Sequence, residues 1–129
     1  MTKIAVVIVA AGRGSRARVA GKPDRGPKQY RKIGGRAIIA QTLAAFAEIP
    51  EVSVIQPVIH ADDHDMYDEA LSALSVQERA PVLPPVNGGE TRQASVYEGL
   101  KSLASQQPDL VLVHDAVRPF VSAATINRT

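Results

Sequence analysis

Three short segments combine glycine, hydroxyl and charged residues in ways suited to an anionic ligand. In Ala10-Ala11-Gly12-Arg13-Gly14-Ser15-Arg16, small residues let backbone N–H groups approach a polyphosphate, and Arg16 offers a planar fork to the same oxygens. The competing reading is an ordinary tight strand-to-helix turn. In Gly88-Gly89-Glu90-Thr91-Arg92-Gln93-Ala94-Ser95-Val96, two glycines precede a helix start, which would leave N–H groups exposed, and Arg92 and Ser95 lie three apart on one helical face. Such a turn can hydrogen-bond the edge of a base, or be a plain N-terminal cap. In His114-Asp115-Ala116-Val117-Arg118-Pro119, a carboxylate just past an apolar strand suits a hard divalent cation that neutralises phosphate charge. Arg118 is then placed for a second anion, and the competing reading of Asp115 is a turn cap before proline.

Other chemistries lack their residues. Gly12-x-Gly14-x-x-Ala17 has the spacing of a dinucleotide fingerprint, but Gly21, Pro23, Gly26 and Pro27 follow where a helix should run, and no strand comes before Val52. There is no G-x-x-x-x-G-K-[ST] and no serine–histidine pairing for acyl transfer. With no cysteine, thiolate metal sites, disulfides and cysteine nucleophiles are excluded, and a cytosolic location fits. The cluster His60, Asp62, Asp63, His64, Asp65 reads as the charged cap of a surface helix in preference to a metal site.

The elements that must position these segments follow from apolar periodicity. Ile4 to Ala10 is an unbroken apolar run ending in a glycine turn, the pattern of a parallel strand buried on both faces. Arg13 to Arg36, with five glycines and two prolines, reads as one long loop of the kind that forms lids and binding loops. A helix follows over Ile38 to Ile49, with Ile39, Leu43, Phe46 and Ala47 on one face and Pro50 ending it. Val52 to His60 is a strand whose Pro57 argues for an outer position or a bulge. Asp62 or Asp63 caps a helix from about His64 to Leu74, with Tyr67, Leu71 and Leu74 inward. Pro81 to Val86 is a short strand or extended segment. A further helix runs to about Ser105 with Val96, Leu100 and Leu103 inward, Leu110 to Val113 is a fully apolar strand, and Ser122 begins a last helix. The alternation predicts an α/β protein, a three-layer αβα domain on a mostly parallel sheet with right-handed crossovers, over residues 1–129. Ligands of such sheets bind outside the carboxyl ends of the strands, where all three segments fall.

Charge concentrates beside the first segment. Nine of the 15 lysines and arginines (Arg13, Arg16, Arg18, Lys22, Arg25, Lys28, Arg31, Lys32, Arg36) lie between Arg13 and Arg36, against the single acid Asp24, although the net charge is only +2. Focused positive potential concentrates phosphates. Nucleic acid is not expected, because Tyr30 alone supplies stacking surface within the basic run. The amino terminus reads as a strand and not a signal peptide, and no apolar run is long enough to span a membrane.

Taken together, AAGRGSR (Ala10 to Arg16), PKQY (Pro27 to Tyr30), GGETRQASV (Gly88 to Val96) and HDAVRPF (His114 to Phe120) resemble the 2-C-methyl-D-erythritol 4-phosphate cytidylyltransferases, in the family's order and across nearly all of the chain. The resemblance implies a Rossmann-like nucleotidyltransferase (GT-A-like) fold, of which 1–129 is the N-terminal, CTP-binding part. It implies magnesium-assisted transfer of a cytidylyl group from CTP to a sugar-alcohol phosphate in isoprenoid precursor synthesis by the non-mevalonate route. Under it, the Ala10 to Gly14 backbone, including Ala11, Gly12 and Arg13, cradles the triphosphate together with Ser15. Arg16 and Lys28 stabilise charge building at the α-phosphorus. Gly89, Glu90, Arg92 and Ser95 belong to the cytidine-recognising segment. Asp115, beside Ala116, assists the metal or the ribose, and Arg118 lies towards the acceptor phosphate. The loop from Arg16 to Pro27 is longer and more basic than in many members, a form associated with enzymes fused to a cyclodiphosphate synthase. The family's second half, which carries further acceptor-binding residues and a dimerising arm, lies beyond Thr129, so a homodimer is expected of the complete protein. A ribitol 5-phosphate cytidylyltransferase shares GG-x-x-R-x-x-S and HDAVRP, and a nucleotide-binding module without catalysis is the alternative from another class.

Overall fold

The computed structural model describes residues 3–11 and 28–116. Its centre is β1 (Ile4–Ala10), in which Ala5 to Ala10 are consecutively buried. Side chains alternate across a strand, so such a run needs cover on both faces. Val6, Ile8 and Ala10 join a core with Ile39, Leu43 and Phe46 of α1 (Ile38–Ala47), while Ala5, Val7 and Val9 pack with Val58 and Leu103 on the other face. Phe46, Leu43 and Ile39 are essentially inaccessible, and each such side chain contributes about 1.5–3 kcal/mol. Helices thus cover both faces of a four-stranded parallel sheet in the order β5-β4-β1-β6, the three-layer arrangement expected, with β4 spanning Val52–Ile59, β5 Val86–Asn87 and β6 Leu110–Asp115.

The described end of the long loop is structured, unlike the expectation for Arg13 to Arg36. A 3-10 turn over Lys28–Tyr30 leads into a hairpin of β2 (Lys32–Ile33) and β3 (Arg36–Ala37). Gly34 and Gly35 form its two-residue turn with φ of 64° and 88°, values that glycine adopts without strain and that suit the twist of a tight hairpin. The Ile38 N–H then donates to Arg31 O at 2.9 Å, closing the hairpin onto α1.

Pro57 also departs from its expected place, because β4 is an interior strand. The N–H and C=O of Ile55 both bond the 81–83 segment, and Ile59 O accepts the Gly88 N–H. Backbone groups two residues apart point the same way, so Pro57 faces the gap between these two short pairings. There the Gln56 side chain replaces the missing rung: Nε2 donates to Pro57 O at 2.9 Å and to Pro84 O at 2.8 Å, and Oε1 accepts from Ser102 Oγ at 2.9 Å.

The helix expected over His64 to Leu74 ends at Ser72 (α2, His64–Ser72), with Tyr67 and Leu74 buried as anticipated. A second short helix, α3 (Val76–Arg79), follows behind a reciprocal Ser75–Glu78 capping box. The Ser75 amide, and after it the Arg36 guanidinium 3.1 Å away, hold the Glu78 carboxyl below its ordinary range. Asp63 stands at the N-cap of α2 but makes no side-chain cap hydrogen bond. Instead His60 Nδ1 accepts the Asp62 N–H at 3.0 Å, and Asp63 is buried.

In α4 (Arg92–Leu103) the face against the sheet is Ser95, Gly99 and Leu103, whereas Leu100, expected inward, is 42% exposed. A Cβ at Gly99 would stand 2.7 Å from Val7 Cγ1 and 3.0 Å from Val58 Cγ2. Alanine in place of a helical glycine gains about 1 kcal/mol from propensity, but crowding two stiff valines costs about 1–3 kcal/mol. Close approach therefore decides the residue. Among the described residues β6 is the outermost strand on its side, and its Leu110 and Val113 are exposed despite the fully apolar sequence. No helix among the described residues is long and apolar enough to cross a membrane.

Candidate active site

The carboxyl ends of β4, β1 and β6 lie side by side, and segments singled out in the sequence donate hydrogen bonds to the last carbonyls of β1 and β4. At the end of β6, the Ala116 N–H donates to Val9 O at 3.0 Å. On β1, Ala10 O accepts from Gln29 Nε2 at 2.7 Å. At the end of β4, Ile59 O accepts from the Gly88 N–H at 2.8 Å. The strand ends and the described parts of the four motifs are thereby stitched into one edge. Ala10 and Ala11 are both buried there. Gly12, Arg13, Gly14, Ser15, Arg16 and Arg118 lie outside the described residues.

The glycine pair before α4 is required for space. An added Cβ at Gly88 would stand 2.5 Å from both Ala11 Cβ and Ser95 Oγ, and one at Gly89 would stand 2.4 Å from Ala94 Cβ. The turn is thus pressed against the end of β1 on one side and against α4 on the other. Its amides are not exposed as the sequence suggested: Gly88 N–H goes to Ile59 O, and Gly89 N–H goes to Ser95 Oγ at 3.2 Å, which returns a bond to Gly89 O at 3.4 Å. Ser95 is buried and shapes the turn from within. Thr91 is the helix cap, its Oγ1 accepting the Ala94 N–H at 3.0 Å, and Glu90 is exposed.

Arg92 does not accompany Ser95 inward. Its Nε donates to Asp115 Oδ1 at 3.1 Å, with side-chain exposures of 58% for Arg92 and 34% for Asp115. At that exposure the pair contributes about 0–1 kcal/mol to stability, and its importance is geometric because it ties the second segment to the third. Ala116 is buried, with its amide on Val9 and its carbonyl accepting from Thr42 Oγ1 at 3.0 Å. It sets the path of the chain just past Asp115. His114 packs edge-on against Phe46, ring centroids 5.0 Å apart.

Two of these side chains had no role in the sequence reading. Thr42 is the polar residue within the apolar face of α1, and a hydroxyl in such a stripe was the available signal. Gln29 lies inside the PKQY motif, where attention fell on Lys28, whose backbone opens the 3-10 turn. Among the described residues no group of three or more His, Cys, Asp or Glu is placed to hold a metal ion. In the 60–65 stretch the one side-chain cap shown is that of His60 on the Asp62 N–H. His64 Nε2 there meets Asn87 Oδ1 at 2.7 Å.

The family model for IspD, 2-C-methyl-D-erythritol 4-phosphate cytidylyltransferase, matches residues 4–129. The chain belongs to this family. Relatives of the chain include bifunctional IspD/IspF enzymes, one from a Bradyrhizobium species at 50% identity over 126 residues (98% of this chain, 29% of the relative). Another, from Brucella anthropi, is 51% identical over 128 residues (99% and 30%). Among solved structures, 4-diphosphocytidyl-2C-methyl-D-erythritol synthase from Anaerococcus prevotii superposes with a TM-score of 0.75 at 32% identity (99% of this chain, 49% of that one). The Francisella tularensis 2-C-methyl-D-erythritol 4-phosphate cytidylyltransferase gives 0.67 at 31% (98% and 49%). The chain thus spans under a third of the curated relatives' length and about half of the solved IspD chains.

Proposed function

We propose that the complete protein transfers a cytidylyl group from CTP to 2-C-methyl-D-erythritol 4-phosphate. A phosphate oxygen of the acceptor bonds to the α-phosphorus, the bond from that phosphorus to the oxygen bridging to the β-phosphate breaks, and pyrophosphate leaves. The observation that carries the reading is the convergence of β1, the Lys28–Tyr30 turn, the Gly88–Ser95 segment and Asp115 on one carboxyl edge, within a chain that belongs to the IspD family.

In this reading the chain's work is positioning and charge stabilisation, which dominate phosphoryl-type transfer. The backbone from Ala10 to Gly14, with Ser15, holds the triphosphate, and Arg16 and Lys28 meet the negative charge that builds on the α-phosphoryl oxygens. Gly89, Glu90, Arg92 and Ser95 form the cytidine side, with Ala116 beside them, and Arg118 faces the acceptor phosphate. The donor chemistry fits magnesium: a single hard carboxylate, Asp115, partly buried and already oriented by Arg92, suits an ion that takes its other ligands from substrate phosphates and water. Asp115 would hold it, and the ion supplies neutralisation of phosphate charge when bound. A cytoplasmic homodimer belongs to the same reading and rests on the family resemblance and the absence of cysteine.

Pyrophosphate release by the family-length protein, with CTP and each of two acceptors, tests the assignment. The expected outcome is release with 2-C-methyl-D-erythritol 4-phosphate and little with ribitol 5-phosphate. The reverse preference would move the protein to the other cytidylyltransferases, and release with neither would leave only nucleotide binding.

A further inference from the structure

Gln29 is buried, 4% exposed, and its Nε2 reaches back 19 residues to Ala10 O at 2.7 Å. Ala10 is the last residue of β1 and pairs with Ile59 in the final register of that strand pair, so its carbonyl stands where the turn begins. The Ala10 carbonyl and the glutamine that serves it are both buried, so the donor must come from the chain itself, at the cost of immobilising a long side chain. The bond is therefore informative about where the chain around Gln29 has to be.

The following residues fix that segment from the other side. Tyr30 packs against the core shared by β1 and α1. Arg31 O accepts the Ile38 N–H, and Arg36 is held by Glu78 on α3. The stretch from Gln29 to Ile38 is thus a frame anchored to β1, α1 and α3, and Lys28 is one Cα step of about 3.8 Å from its anchored end.

We infer that Gln29 is the positioning residue for Lys28: by docking on the Ala10 carbonyl, it fixes where the Lys28 backbone stands relative to the turn after β1. The inference rests on the cytidylyltransferase reading above, in which Lys28 acts on the transition state.

The test is a double-mutant cycle in the family-length protein with Gln29→Met, which keeps volume and removes the donor, and Lys28→Ala. A catalytic group displaced by about an ångström can lose about 100-fold in rate, so Gln29→Met is expected to lower kcat by that order with the CTP dissociation constant changed less than about threefold. Combined with Lys28→Ala it should cost no more than Lys28→Ala alone. Rate losses that multiply would overturn the inference, as would weakened CTP binding at unchanged kcat. If Gln29→Met disturbs folding by circular dichroism, Gln29→Leu takes its place; unfolding of both would make Gln29 a residue of the fold alone and equally overturn it. A wild-type protein that releases no pyrophosphate, or a Lys28→Ala variant at full activity, would instead strike the functional reading.

Discussion

Replacing Lys28 or Arg16 by alanine in the family-length protein is expected to lower turnover about 100- to 1,000-fold, with the CTP dissociation constant moving less than about threefold. The contrast follows from when charge appears. In the proposed site CTP arrives with its charges already formed and spread over backbone amides and several cations, so losing one cation costs modest affinity. In the transition state, charge rearranges around the α-phosphorus as the bond to pyrophosphate breaks, and a preorganised cation there has no rapid substitute. The Lys28–Tyr30 turn, docked on Ala10 through Gln29, puts the Lys28 backbone beside the end of β1. Steady-state kinetics with parallel CTP titrations separate the two effects. Variants that merely bound CTP more weakly at unchanged turnover would remove the assigned transition-state role.

Gly88→Ala is expected to destabilise the protein by about 1–3 kcal/mol and to weaken CTP binding about tenfold, the equivalent of one lost hydrogen bond near 1.4 kcal/mol. The added carbon would stand 2.5 Å from Ala11 Cβ and from Ser95 Oγ, closer than such atoms can approach. The first neighbour is anchored beside β1 and the second is buried within α4, so the 88–89 turn must lift from the edge. Lifting it strains the Gly88 bond to Ile59 O and the Gly89 bond to Ser95 and moves the segment proposed to recognise cytidine. Urea unfolding and CTP titration of this variant check both halves. Wild-type stability together with wild-type affinity would mean that the turn does not lie against Ala11.

The strands and helices legible in the sequence were those announced by large apolar side chains. Ile4 to Ala10 read as a doubly buried strand because seven successive small or aliphatic residues leave no solvent face, and α1 read from Ile39, Leu43 and Phe46. The contacts that order the site gave weaker signals. Gly99 and Ser95 face the sheet through closeness, so a search for apolar period chose Leu100, which is exposed. Pro57 looked misplaced for an interior strand, since nothing local reveals that β4 is paired on that side only in fragments or that Gln56 spans the gap. The glycine pair suggested free amides, but a bond such as Gly88 to Ile59 joins residues far apart in sequence and emerges only with the sheet order. The convergence of the motifs was foreseeable because strand carboxyl ends share an edge in a parallel sheet. The stitching by Gln29, Thr42 and Arg92 was not, because each is a long-range hydrogen bond with no periodicity.

The most direct measurement is a calorimetric titration of CTP into this 129-residue chain, with and without magnesium, repeated with Asp115→Asn. The expected result is saturable binding that tightens with magnesium in the wild-type chain and loses most of that dependence in the variant. No saturable CTP binding under either condition would contradict the assignment of this sheet edge as a CTP site.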